Sequence, residues 1–313
     1  MSGLLVWVLV CLVVVLFNML ALGYFLFLVL MVAFLVLLER KFLGLTQIRM
    51  GPNLVGVWGT VQTVADGLKL LMKRFFVSGK VNFFFFFCPI LGFFMGLLHW
   101  VVLPFWGGFL GVDFSILYTF AVSGLLVYIV IWAGWGSDSL YGFIGGVRGV
   151  SQMISYEVVF MFFLLCFLFV LGGYGWEMFY YFGWEMIFFK GVLFGYWGVI
   201  VLAELNRVPF DLVEGESELV SGFNVEYAGF GFTLLFLFEY MNIWFMGFLS
   251  MLVFIGSVSL WGVLGSVFVF VGLVLYVRCV LPRFKFTQLI DLMWKMMLPG
   301  VFFMLVWGSI YLG

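Results

Sequence analysis

The sequence predicts an all-α polytopic membrane protein with about eight transmembrane helices. Three observations carry that fold class. Of 313 residues, 66% are hydrophobic and only 9% charged, with a mean hydropathy of +1.28; a soluble domain carries about 25% charged residues. The apolar residues come in long unbroken runs, as helices crossing a bilayer require, whereas closed barrels show short alternating segments. Thirteen of the fourteen basic residues fall in alternate connections between those runs.

The spans read as roughly Leu4–Leu38, Phe83–Leu103, Ile116–Trp135, Glu157–Leu171, Met186–Ala203, Ala228–Gly247, Met251–Val277 and Met297–Leu312. The first is too long to stand upright, since its length as a helix is about 52 Å against a hydrocarbon core of about 30 Å. It is expected to tilt or to project beyond the membrane. It has no basic region before it, so it reads as a span and not a cleaved leader.

Met50-Gly-Pro-Asn53 then breaks the helix, because Pro52 lacks an N–H and restricts Gly51. Between about residues 60 and 74 the pattern becomes amphipathic. Val61, Val64, Ala65, Leu68, Leu71 and Met72 share one face, while Thr60, Gln62, Thr63, Asp66, Lys69, Lys73 and Arg74 lie on the other, with Leu70 an exception. This predicts a helix lying at the membrane surface. No repeat or linker divides the chain, and one domain is expected.

The connections after the odd-numbered spans hold thirteen basic residues, against Lys190 alone on the opposite side. The positive-inside rule therefore places those connections on the cytoplasm-like side and both termini outside. The connection between spans five and six departs from the trend. Residues 203–228 read AELNRVPFDLVEGESELVSGFNVEYA and hold six of the fifteen carboxylates: Glu204, Asp211, Glu214, Glu216, Glu218 and Glu226, with Arg207 as their only basic neighbour.

Carboxylates beside a membrane core stay ionised around water or a cation, or take up protons. Glu214, Glu216 and Glu218 are close enough for their titrations to couple. The apolar residues on either side, Val208 to Phe210 and Leu219 to Phe223, favour a partly buried segment over a solvated loop. Glu239 lies inside the sixth span, where a charge costs about 2.5–3.5 kcal/mol and calls for a partner or water. Glu157 opens the fourth span after Ser155, where a helix-capping role and a functional one both fit. Glu39, Arg40 and Lys41 close the first span. Asp66 and Lys69 can form a surface pair one turn apart.

Some chemistry is excluded. The net charge of −1 gives no basis for nucleic-acid binding. Cys11, Cys88, Cys166 and Cys279 are far apart, and His99 is the only histidine. No zinc, haem or iron–sulfur ligation is expected.

These residues resemble a known family. Glu39 to Asn53, Gln62 to Lys73, Gly134 to Tyr141, Arg148 to Glu157, Ala203 to Tyr227, Phe236 to Tyr240 and Pro282 to Leu289 are similar, in order, to the membrane subunits at the base of respiratory complex I. These are the chain 1 subunits of NADH:ubiquinone oxidoreductase. The resemblance implies eight spans with a steeply tilted first helix and a surface helix after it. Ubiquinone is then the substrate, entering between the first helix, the surface helix and the sixth helix, in a tunnel completed by hydrophilic subunits.

On that resemblance the tunnel residues are Glu39, Arg40, Arg49, Asp66, Lys69, Arg207, Asp211, Glu214, Glu216 and Glu218. Proton coupling falls to Arg148, Glu157, Glu204, Glu226 and Glu239. The chain itself would carry no flavin, cluster, haem, metal or catalytic residue. Its partners would be the hydrophilic quinone-site subunits, adjacent small membrane subunits and lipid. The location is the mitochondrial inner membrane, with a bacterial plasma membrane as the alternative. Arg74-Phe75, Asp138 and Leu140 depart from the family's pattern. Hydrogenase-linked relatives, a free-standing ion transporter and a passive anchor are the rival readings; the acidic connection, Glu239 and the lack of an inverted repeat count against them.

Overall fold

In hydrocarbon, every backbone N–H and C=O must find its partner within the protein, so long apolar runs have little choice but to coil. The computed structural model describes residues 2–73, 83–104, 113–181, 187–211, 224, 226–256 and 260–312, and all its described regular elements are helical. The chain falls into two compact units, residues 1–66 and 67–313.

The first unit is dominated by α1 (Ser2–Thr46). It continues past the predicted end at Leu38, through Glu39, Arg40 and Lys41, because those long side chains are good helix formers. The chain then folds back along the end of α1. The Arg49 N–H donates to the Gly44 carbonyl at 2.9 Å, and a Cβ on Gly44 would stand 2.9 Å from the Gly51 nitrogen. Only hydrogen fits there, so the Met50-Gly-Pro-Asn break becomes a tight reversal. A 3-10 turn (Val57–Gly59) leads into α2 (Gln62–Met72). This is the expected amphipathic helix, two residues shorter at each end; Arg74 lies outside the described residues. Val61, Val64, Leu68, Leu71 and Met72 are all exposed, as a surface helix awaiting lipid or protein requires.

The second unit contains α3 (Phe83–Val101), α4 (Ser115–Gly136), α5 (Leu140–Leu171), the short α6 (Met178–Tyr181) and α7 (Ile187–Glu204). It continues with α8 (Gly229–Phe254), α9 (Leu260–Val280) and α10 (Phe286–Asp291). A π-helical turn (Leu292–Met297) then joins α10 to α11 (Leu298–Leu312). Among the described residues six helices are long and apolar enough to cross a membrane. Leu193–Glu204 of α7 is a shorter apolar helix.

The largest departure from expectation is α5. The sequence reading starts this span at Glu157; the helix begins at Leu140, and Ser139 is its cap, its Oγ accepting from the Gly142 N–H at 3.2 Å. Glu157 is therefore in mid-helix, and the capping role behind Ser155 is overturned. Gly142, Gly145, Gly146 and Gly149 made this stretch look like a connection. Gly142 and Gly146 serve packing instead: a Cβ on Gly134 would lie 2.9 Å from the Gly142 carbonyl and 3.1 Å from the Gly146 Cα. Small residues let α4 and α5 cross backbone to backbone, and that packing outweighs their poor helix propensity.

α8 is the central helix of this unit. In the most apolar 18-residue stretch of α8 61% is buried, against 28% in that of α9 and 22% in that of Phe286–Trp307. It packs on α3 through Gly96, where a Cβ would lie 3.1 Å from the Phe238 ring, and through the stacked His99 and Phe245 rings, 4.8 Å apart. Phe85, Cys88, Leu126, Ile129, Val130, Ala133, Tyr227, Leu235 and Phe238 form one buried cluster. Within it the Phe85 and Tyr227 rings stack at 4.2 Å and 7°. This anchors the return of the acidic connection to α8. Trp197 sits between α7 and α5, against Phe160 and Phe163.

Candidate functional site

Within α5, residues spaced by four fall on one stripe, so Arg148, Gln152 and Tyr156 align, with Glu157 one residue on. The stripe meets the end of α7 and the turn that follows it. Glu157 rests against α4: its Oε1 lies 3.2 Å from the Ser123 Oγ, and 3.0 Å from where a Cβ on Gly124 would be. Ser123 also lies 2.9 Å from the Phe120 carbonyl. A hydroxyl has one proton to give. The Ser123 Oγ is thus within hydrogen-bonding reach of the Glu157 carboxyl and the Phe120 carbonyl at once, and its one proton can be shared between them.

Glu204, the last residue of α7, is half-buried and within electrostatic range of both Glu157 and Tyr156. Three carboxylate- or phenol-bearing groups thus meet where α5 and α7 converge. Just beyond, residues 205–211 form a compact turn. The Asn206 N–H donates to the Ala203 carbonyl at 3.2 Å and the Phe210 N–H to the Arg207 carbonyl at 2.8 Å. Asn206 has φ 49, a left-handed conformation that asparagine tolerates better than most residues.

Four side chains of this turn, those of Asn206, Arg207, Phe210 and Asp211, have definite partners. The Arg207 guanidinium carbon lies 4.7 Å from the centre of the Tyr240 ring, next to Glu239 on α8, a favourable placement of a cation over an aromatic face. Asp211 is buried, 7% exposed, and its Oδ2 is 3.3 Å from Arg283 in the connection between α9 and α10. From the same connection the Phe284 N–H donates to the Pro209 carbonyl at 3.0 Å, and the Phe284 ring stacks on Phe210 at 5.6 Å and 12°. On the opposite side Gln152, with no exposed surface, donates through Nε2 to Asn206 Oδ1 at 2.8 Å and to the Phe210 carbonyl at 2.7 Å.

The structure thus brings together Glu157, Glu204, Arg207, Asp211 and, one residue from Tyr240, Glu239. Arg148 lies on the same α5 stripe and is half-buried, within the helix and not in the connection expected before it. Glu226 is exposed near the start of α8. Glu214, Glu216 and Glu218 lie outside the described residues. Tyr227 ends the acidic connection; its phenol is buried, and that burial, with the Cys88 thiol nearby, pushes its pKa up.

In the first unit Glu39 is 4% exposed. Asp66 pairs with Arg40 and also accepts from Gln62 Nε2 at 2.9 Å. The expected pairing of Asp66 with Lys69 gives way to these partners, because Arg40 offers a planar fork of donors; Lys69 stays exposed. Arg49 Nε donates to Gln47 Oε1 at 2.8 Å. Among the described residues no group of three His, Cys, Asp or Glu gathers as a metal site.

Gln152, Asn206, Tyr156, Ser123, Tyr240, Arg283 and Phe284 were given no role by sequence reasoning. The signal for Gln152 was present: Arg148, Gln152 and Tyr156 form a polar stripe with a period of four. A helix beginning at Glu157 hides it. Arg283 is one of the thirteen basic residues that set the topology, and nothing local reveals that Phe284 reaches Pro209.

The sequence pattern of the NADH dehydrogenase family matches residues 19–309. Curated relatives match over most of their length. The NADH-ubiquinone oxidoreductase chain 1 of Branchiostoma lanceolatum is 44% identical over 88% of this chain and 90% of its own. Those of Patiria pectinifera and Aedes aegypti are 41% and 42% identical, over 90% and 86% of this chain and 90% and 87% of theirs. The chain therefore belongs to the NADH-ubiquinone oxidoreductase chain 1 family, the membrane-embedded subunits of NADH:ubiquinone oxidoreductase.

Proposed function

We propose that this subunit lets ubiquinone reach its reduction site and passes the resulting change of charge towards proton translocation. The observation that carries the reading is the sequence of ionisable groups at the α5–α7 junction. Glu204, Arg207 and Asp211 open the acidic connection, and Glu157 lies within electrostatic range of Glu204. An apolar interior does not gather such groups without a use for them.

In the first unit Glu39, Arg40, Arg49 and Asp66 line the quinone path; in the second, Lys69, Arg207, Asp211, Glu214, Glu216 and Glu218 do so. Protonating reduced quinone removes protons from, or leaves negative charge among, these groups. Glu204, Glu157 and Glu239 respond by exchanging protons; Arg148 and Glu226 tune the field around them. Such a response biases distant two-state elements, which is how coupling between separated sites works.

The chain supplies position and electrostatics, while redox cofactors reside in partner subunits. Hydrophilic quinone-site subunits, small membrane subunits and lipid cover its exposed faces. The location is the mitochondrial inner membrane, consistent with its animal relatives and its apolar helices.

Glu204→Gln tests this reading. It keeps the side-chain shape and removes the titrating group, so the complex should assemble while protons pumped per quinone reduced, or turnover itself, fall. Unchanged turnover and unchanged pumping would remove Glu204 from the path.

A further inference from the structure

A membrane-crossing helix has no packing reason to bury a primary amide. Gln152 nevertheless lies wholly buried in α5, with both amide N–H bonds used. A backbone carbonyl only accepts, so the contact with the Phe210 carbonyl places the amide nitrogen on that side and settles the orientation of the group. The two acceptors, Asn206 Oδ1 and the Phe210 carbonyl, stand at the two ends of the turn that carries Arg207. Asp211 follows directly. One side chain therefore holds both ends of the turn.

The opposite side of the turn is held independently. Phe284 donates to Pro209 and stacks on Phe210, and Arg283 pairs with Asp211. On the α5 side Gln152 makes its two hydrogen bonds beside the Tyr156 ring, which lies 6.3 Å from that of Phe210. The same helix carries Arg148 four residues before Gln152 and Glu157 five after it. Fixing the turn to Gln152 thus fixes Arg207 and Asp211 relative to Arg148 and Glu157.

We infer that Gln152 is a positioning residue, the buried amide that ties the start of the acidic connection to α5 and so makes Arg207 and Asp211 move as one body with Arg148 and Glu157. This rests on the reading of Arg207 and Asp211 as quinone-path residues. Gln152 itself need touch no quinone. Its effect is on where Arg207 and Asp211 stand.

The test is made in the assembled complex, normalised by NADH oxidation with an artificial acceptor that bypasses quinone. Gln152→Met keeps length and apolar fit and removes both donors. Gln152→Glu keeps shape and turns an acceptor towards the Phe210 carbonyl. Asn206→Gly removes one acceptor and suits the left-handed backbone at that position. Losing these bonds should raise the quinone KM about fivefold or more in both Gln152 variants, with a smaller fall in kcat and a lesser KM rise in Asn206→Gly.

A purely structural role would reduce the amount of assembled complex and leave KM and kcat per complex unchanged; that result overturns the inference. If Gln152→Met fails to assemble, Asn206→Gly decides, and an unaltered KM there also overturns it. Arg207→Gln and Asp211→Asn are measured alongside. If they raise KM while the Gln152 and Asn206 variants do not, positioning by Gln152 fails alone; if none of them moves KM, the quinone-path reading fails with it.

Discussion

Breaking the pair between Asp211 and Arg283 is the sharpest test of whether the 205–211 turn is held by its neighbours or by its own backbone. At 3.3 Å the direct attraction of two unit charges is about 5 kcal/mol at an effective permittivity of about 20. The Asp211 side chain is 10% exposed and that of Arg283 39% exposed, so water screens one end and desolvation opposes the other. The net coupling should be about 1–2 kcal/mol, or about 5–30-fold in a rate ratio. The perturbation is a double-mutant cycle on the assembled complex: Asp211→Asn, Arg283→Gln and both together. The readout is kcat/KM for quinone, converted to transition-state free energy. Each single change should lower it within that range, and the double variant should be scarcely worse than the poorer single one, because the second change removes a partner already lost. Effects that simply multiply would refute the reasoning, since two independent sites add in free energy.

Three further outcomes follow from the same geometry. Gly134→Val places a side chain 2.9–3.1 Å from backbone atoms of α5; overpacking of this kind costs about 1–3 kcal/mol, so the complex should inactivate at lower temperature in a thermal ramp. Tyr240→Phe keeps a ring under Arg207 and should leave quinone kinetics close to normal, whereas Tyr240→Leu removes a contact of about 1 kcal/mol and should lower kcat/KM about fivefold; equal effects would dismiss the ring's role. Asp66→Asn breaks a pair whose side chains are 45% and 30% exposed, so its stability effect should stay below about 1 kcal/mol and shrink further in high salt; a larger loss in a thermal-stability assay would give the pair a buried role.

α1, α3, α4 and α8 were legible because their apolar runs are longer than any soluble helix needs, and α2 because its two faces separate, Leu70 apart. The beginning of α5 was not, since four glycines and Arg148 carry the local marks of a connection, and only the crossing of Gly134 over Gly142 and Gly146 reveals the use of those two. The ending of α8 at Phe254, beyond the expected Gly247, has the same cause: Gly247 is where the helix accommodates Val267 and Val271 of α9. At the candidate site, Glu204, Arg207, Asp211 and Glu239 stood out as charges in apolar surroundings. Ser123 and Phe284 could not, being ordinary residues distant in the chain.

What the sequence by itself determined was class, order and chemistry. Hydropathy requires helices because hydrocarbon leaves backbone polar groups no other partner, and the carboxylates of 203–228 require a polar path because charge in such surroundings is costly. What only the tertiary structure decided was partnership. Asp66 goes to Arg40 and not Lys69, Glu157 to Ser123, and Gln152 to both ends of a turn more than fifty residues away. Periodicity reports which face of a helix is apolar; it holds no information on which residue of another helix arrives opposite, and that is set by how closely small residues allow two backbones to approach.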